Sequence, residues 1–101
     1  MKITFIMPCV GRKPSGKYPV SWLMEPTAIA VLSALTPGDV ERAFVDDRFE
    51  AIRHDEPTDA VALCVETYTA RRAYEIAAEY RSRGVPVVMG GFHATLAPDE
   101  V

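Results

Sequence analysis

Hydrophobic positions along the chain fall into short continuous runs separated by segments of helical period. Residues 2–7 are an apolar run stopped by Pro8, the pattern of a strand covered on both faces. Residues 26–35 open with proline at a plausible first helical position. Ile29, Leu32 and Leu35, with Ala28 and Val31, then make a broad apolar helix face, and Thr36-Pro37-Gly38 stops it. Residues 40–46 alternate only in part and predict a second strand nearer a sheet edge, residues 47–54 a short helix, and residues 55–58 a turn. Residues 59–65 are the clearest buried strand. Thr67 or Thr69 suits the cap of a helix running to about Arg83. Ala70, Ala73, Tyr74, Ile76, Ala77 and Tyr80 form its buried stripe, and Arg71, Arg72, Glu75, Glu79 and Arg83 its wet face. Gly84 ends it. Residues 85–89 predict a fourth strand, 90–96 a loop, and 97–101 the opening turn of a further helix with acidic residues where the dipole favours them.

Strands alternating with helices imply an α/β, Rossmann-like (flavodoxin-like) three-layer sandwich on a parallel sheet with right-handed crossovers. With 101 residues this is one domain, 1–101, and the pattern reads as truncated after the fourth strand. Ligands of such sheets sit outside the carboxyl ends of the strands, at the switch in strand order. That marks three loops: the one from Pro8 onward, residues 66–69, and residues 90–95. Residues 9–25 form a long connection rich in Pro, Gly, Lys and Ser, and long loops are usually functional or mobile.

Charge narrows the partners. A net charge of −3 gives no electrostatic case for nucleic acid or an anionic membrane, and no apolar run approaches the ~20 residues of a span. Lacking a secretion signal, Cys9 and Cys64 read as reduced thiols of a cytoplasmic protein: Cys64 a buried small apolar residue, Cys9 more exposed.

The segment Gly90-Gly91-Phe92-His93-Ala94-Thr95 carries most of the chemical information. Paired glycines after a buried strand permit positive φ and let a flat ligand reach the backbone. The pair alone equally fits a tight turn that needs glycine for geometry only. Other candidate chemistry falls away. Residues 11–18 nearly spell a phosphate-cradling loop, but Tyr18 stands where the Mg²⁺-binding hydroxyl belongs, leaving a basic loop. Asp46-Asp47 sits after the wrong strand for a phospho-acceptor and reads as a solvated loop, and the two cysteines lack metal spacing. Trp22, with Tyr18 and Leu23, suits folding over a ligand or packing on a further domain, the second slightly favoured.

Residues 90–100 resemble the Gly-Gly-x-His-x-Thr-x-x-Pro-Glu-Glu segment of the cobalamin-binding domain of B12-dependent radical SAM enzymes. The first strand ending in Pro8, the proline-led helix and the third strand with its helix are similar to that family too. The resemblance implies cobalamin across the carboxyl ends of the strands. Gly90 and Gly91 would pass beneath its nucleotide tail, Phe92 and His93 would line that loop, and Thr67 and Tyr68 would meet the tail or the corrin face. A bulky side chain at Gly91 is expected to block the ligand and spare the fold. Related methyltransferase and mutase domains carry Asp-x-His-x-x-Gly after the first strand. This chain has Pro8-Cys9-Val10-Gly11 there, so no histidine on cobalt is implied. The resemblance also implies a downstream radical SAM domain holding a 4Fe-4S cluster and S-adenosylmethionine. The Cys-x-x-x-Cys-x-x-Cys motif that chemistry needs is missing here, so the chain itself is no catalyst. Open apolar surface at the truncation favours self-association. Two readings compete: a vestigial B12-binding fold serving as scaffold or substrate-recruiting domain, and an unrelated flavodoxin-like nucleotide-binding domain.

Overall fold

The computed structural model describes residues 1–9 and 27–101, with backbone only at 27 and 28; the 11–18 loop, Trp22 and Pro26 lie outside the described residues. Four parallel strands, β1 (Lys2–Met7), β2 (Glu41–Asp46), β3 (Ala60–Cys64) and β4 (Val87–Gly90), form one sheet in the order β2-β1-β3-β4. The chain leaves β1 toward β2, then returns across it to β3 and β4, so the direction reverses between β1 and β3. Their carboxyl ends therefore frame the crevice of a doubly wound sheet.

Helix α1 (Thr27–Leu35) connects β1 to β2, and α2 (Ala70–Ser82) connects β3 to β4. The two crossovers run in opposite directions across the sheet, so right-handedness puts the helices on opposite faces. Alternation along the strands sorts the core. Ile6, Val61, Leu63 and Val65 turn to the α2 face and pack with Ala70, Ala73, Ile76, Ala77 and Tyr80. Those α2 positions are the stripe read from the 3.6 period. Phe5 is buried on the other face, while Phe44 and Val88, facing the same way, are exposed, as are Val31, Leu32 and Leu35 of α1. Gly84, with φ +78°, stops α2 as expected. Among the described residues no helix is long and apolar enough to cross a membrane.

Two segments differ from expectation. Residues 47–54 form turns rather than a short helix. The Asp46 carbonyl accepts from the Phe49 and Glu50 amides, and its carboxylate accepts from the Arg48 amide (3.1 Å). This side-chain bond offers the backbone an alternative to helix. The next helix starts earlier than residue 97: α3 (Phe92–Leu96) follows β4 directly, and residues 97–101 are turn and tail. Gly91, at its N-cap with φ +98° and ψ −179°, makes the abrupt strand-to-helix transition in a conformation open essentially to glycine alone.

Candidate functional site

The described carboxyl edge of the sheet is assembled from the ends of β1, β3 and β4 and the segments that leave β3 and β4. After β3 the chain enters a single 3₁₀ turn, Thr67–Thr69, which leads straight into α2. Thr69 secures the turn: its hydroxyl accepts from the Glu66 amide (3.0 Å) and its own amide donates to the Glu66 carbonyl (3.0 Å). Thr67 and Tyr68 are left exposed on the rim. The β4 exit packs against β3 through backbone: Val65 N–H donates to Gly90 O (2.8 Å), and His93 N–H donates to Val65 O (3.2 Å).

The two glycines of this exit have different roles. A Cβ on Gly91 would stand 2.6 Å from the Val65 carbonyl oxygen and 3.0 Å from its nitrogen. That glycine is required by close backbone packing, so the expectation that a bulky residue there spares the fold is corrected. A Cβ on Gly90 would meet nothing within 4 Å, and Gly90 is exposed. The open approach to backbone belongs to Gly90. Phe92, 73% exposed, and Tyr68, 51% exposed, bring aromatic surface to the same rim.

His93 is held by side chains. Its Nδ1 lies 3.1 Å from Thr67 Oγ1, and its Nε2 contacts the Glu100 carboxylate and lies 3.1 Å from the Tyr74 hydroxyl. Tyr74 in turn donates to Glu100 Oε2 (2.7 Å). Of the residues singled out in the sequence, Thr67 and His93 are thus joined directly, and Tyr68 and Phe92 are their chain neighbours. Tyr74 and Glu100 were not foreseen as site residues: Tyr74 read as stripe, Glu100 as a dipole-favoured acid. The Tyr74 hydrogen bond, then that from His93, holds the Glu100 carboxyl below its ordinary value. In Tyr74→Phe the first of these is lost, and Glu100 is expected to titrate at higher pH, followed by its carboxyl ¹³C shift; an unmoved titration would show that Tyr74 does not stabilise the carboxylate.

A second cluster anchors the β1 exit. Asp47, immediately after β2, is fully buried. Its carboxylate accepts from the Cys9 amide (3.1 Å) and takes a two-pronged contact from Arg72 of α2, Nε at 2.8 Å and Nη2 at 3.1 Å. Burial pushes the Asp47 carboxyl up, but the hydrogen bonds from Arg72 and Cys9 outweigh it and hold the group below its ordinary value. Three sequence readings change here. Asp46-Asp47 is no solvated loop, since Asp46 is also clamped, by Arg48 (2.8 and 2.9 Å). Arg72 leaves the wet face to reach Asp47. Cys9 is 2% exposed. A signal existed: in a parallel sheet β1 and β2 end at the same edge, so an acid just after β2 is within reach of the β1 exit. Cys64 is partly buried, and burial, aided by the charge of Glu66, pushes its thiol up, away from reactivity.

What the described part of the edge offers chemically is a partly apolar rim with backbone open at Gly90, a hydroxyl beside an imidazole, and the exposed rings of Tyr68 and Phe92. No family model and no solved structure matches the chain. Among curated proteins it is similar to bacteriochlorophyllide d C-8(2)-methyltransferase of Chlorobaculum tepidum, 43% identical over 74 residues, which are 72% of this chain and 16% of that protein. The aligned part thus spans about one sixth of that relative's length.

Proposed function

We propose that the chain is the cobalamin-binding module of a B12-dependent radical SAM enzyme of the methyltransferase type, and that it positions the corrin beside a radical SAM domain of the same protein. The observation that carries this reading is Gly90: an exposed glycine with open space where a side chain would stand, at the carboxyl end of β4 in a parallel sheet. A macrocycle can approach backbone there with no Cβ in the way. The described rim fits such a ligand, because exposed Tyr68 and Phe92 suit an apolar ring edge, and hydroxyl and backbone groups suit its amides. The similarity to a methyltransferase supports the same reading. Cobalamin, when bound, supplies the methyl group; the chain's own residues position it and shield one face. His93, engaged at both ring nitrogens, orients the rim instead of ligating cobalt. A 4Fe-4S cluster and S-adenosylmethionine belong to the proposed radical SAM domain.

The test is retention of corrin absorbance after the protein at its full natural length is mixed with hydroxocobalamin and desalted. Gly90→Trp is expected to weaken retention at least about tenfold while leaving the melting temperature nearly unchanged, since the substituted side chain enters open space. Undiminished retention by Gly90→Trp sinks this placement of the ligand. No retention by the unsubstituted protein would favour the scaffold reading instead.

A further inference from the structure

Residues 47–59 cross the α2 face of the sheet from β2 to β3 as an irregular strap, where a parallel connection usually carries a helix. The strap covers that face incompletely. A cavity of about 270 Å³ remains between its residues Glu50 and Arg53, Thr4 and Val45 of the strands, and Tyr80 of α2. Ile52 reaches the core in part, while Phe49 is 66% exposed. The strap's aromatic anchor is His54, whose ring lies 4.7 Å from that of the buried Tyr80, centroid to centroid. His54 Nδ1 is enclosed and, alone among the buried side-chain nitrogens and oxygens of the described residues, has no hydrogen-bond partner. A neutral ring can keep its proton on Nε2 and leave Nδ1 bare. An imidazolium must place an N–H at Nδ1 with nothing to accept it.

We propose that His54 is an acid-sensitive latch: neutral, its ring clips the strap to Tyr80, and a proton on Nδ1 releases the strap and opens the cavity beneath it. Burial holds the ring below its ordinary value of 6.5. Nearby charges do little to restore it. Glu79 and Asp47 favour the cation, and Arg83 and Arg72 oppose it. Each acid is tied to one of those arginines, Glu79 to Arg83 at 2.9 Å and Asp47 to Arg72 at 2.8 Å, so their fields largely cancel. The Tyr80 phenol stays neutral, because burial pushes it up. With the strap open, His54 meets water and takes its proton more readily than with the strap closed. Opening is therefore favoured as the pH falls through 6.5, and the effect is complete below the lower closed value. The latch needs no ligand on the glycine rim.

Amide hydrogen exchange between pH 7 and pH 5, corrected for the intrinsic effect of pH, tests the latch. The Glu50 and Glu56 amides donate within the strap, each at 3.1 Å, and the Val61 amide of β3, bonded to Pro86 O at 3.0 Å, serves as reference. Protection of the two strap amides is expected to fall at least about threefold toward pH 5 relative to the reference. Asp47 and Glu100, both held below their ordinary carboxyl values, stay ionised across this window. In His54→Phe, which keeps a ring against Tyr80 and cannot take a proton, the fall is expected to vanish. Steady protection in the unsubstituted protein, or the same fall in His54→Phe, overturns the latch. Should His54→Phe fail to fold, the ring titration of His54 in the unsubstituted protein decides: a midpoint below 6.5 supports the latch, and one at or above 6.5 overturns it.

Discussion

Gly91→Ala is expected to lower stability by about 3 kcal/mol, whereas Gly90→Ala, one residue away, is expected to change it by no more than about 0.5 kcal/mol. Both carry the same methyl group into the same exposed turn. At Gly91 that methyl meets the Val65 carbonyl oxygen at 2.6 Å, and the obstacle is backbone of a fully buried strand exit that cannot swing aside. The dihedrals, φ +98° and ψ −179°, lie where only glycine is comfortable, a cost of about 1–3 kcal/mol before the collision is counted. Relief would mean separating β4 from β3, and with it the amide bonds that join Val65 to Gly90 and His93. At Gly90 neither obstacle exists. Urea unfolding of the two variants side by side measures the difference, and equal midpoints would show that the strand-to-helix turn does not need its glycine. The pair is thus divided between tasks: the second glycine builds the rim and the first leaves it open.

The sequence made some of this legible and hid the rest for physical reasons. Strands β1 and β3 are central in the sheet and are buried or partly buried along their length, so they read as apolar runs, and α2 buries one face only, so Ala70, Ala73, Ile76, Ala77 and Tyr80 repeat at helical spacing. The parallel order followed from alternation alone. Residues 47–54 misled because Phe49 and Ile52 imitate a helical stripe, while the structure is decided by the Asp46 side chain competing for backbone amides. Residues 92–96 misled in the opposite sense: two glycines signal a loop, yet one of them is the hinge from which a helix starts. The rim residues Thr67, Tyr68, Gly90, Phe92 and His93 lie in the segments that leave adjacent strands of a parallel sheet, and topology marks those segments. Their supports were not legible. Tyr74 and Glu100 are 26 positions apart, Asp47 and Arg72 are 25 apart, and no local spacing announces either pair. Long-range polar contacts become visible only once the crossovers have brought the elements together.

The Asp47–Arg72 pair yields the other large effect, and an asymmetric one. Arg72→Met is expected to cost about 3 kcal/mol at neutral pH, and Asp47→Asn only about 1–2 kcal/mol. Losing Arg72 leaves a fully buried carboxylate held by Cys9 without its charged partner, too little to offset the loss of hydration. Losing the charge on Asp47 leaves a guanidinium that is 22% exposed and reaches water, while the Asn carbonyl still accepts from Cys9. Acid titration separates this from simple loss of packing. In the unsubstituted protein the Asp47 carboxyl lies below its ordinary value of 3.8 in the folded state. Its contribution is therefore complete above pH 3.8 and is lost as the pH falls toward the lower folded value. In Arg72→Met the guanidinium is gone and burial dominates, so the folded-state value rises above the unfolded one and the sign reverses. The carboxyl then opposes folding at neutral pH and relents as acid protonates it. The gap in stability between the two proteins should accordingly narrow from pH 7 to pH 4, and a gap of constant width would mean that Arg72 contributes packing and no charge. Because the same carboxylate holds the Cys9 amide at the β1 exit, the loss of stability in Arg72→Met should also appear as faster amide exchange at Cys9. The pair fixes one wall of the crevice much as Gly91 fixes the other.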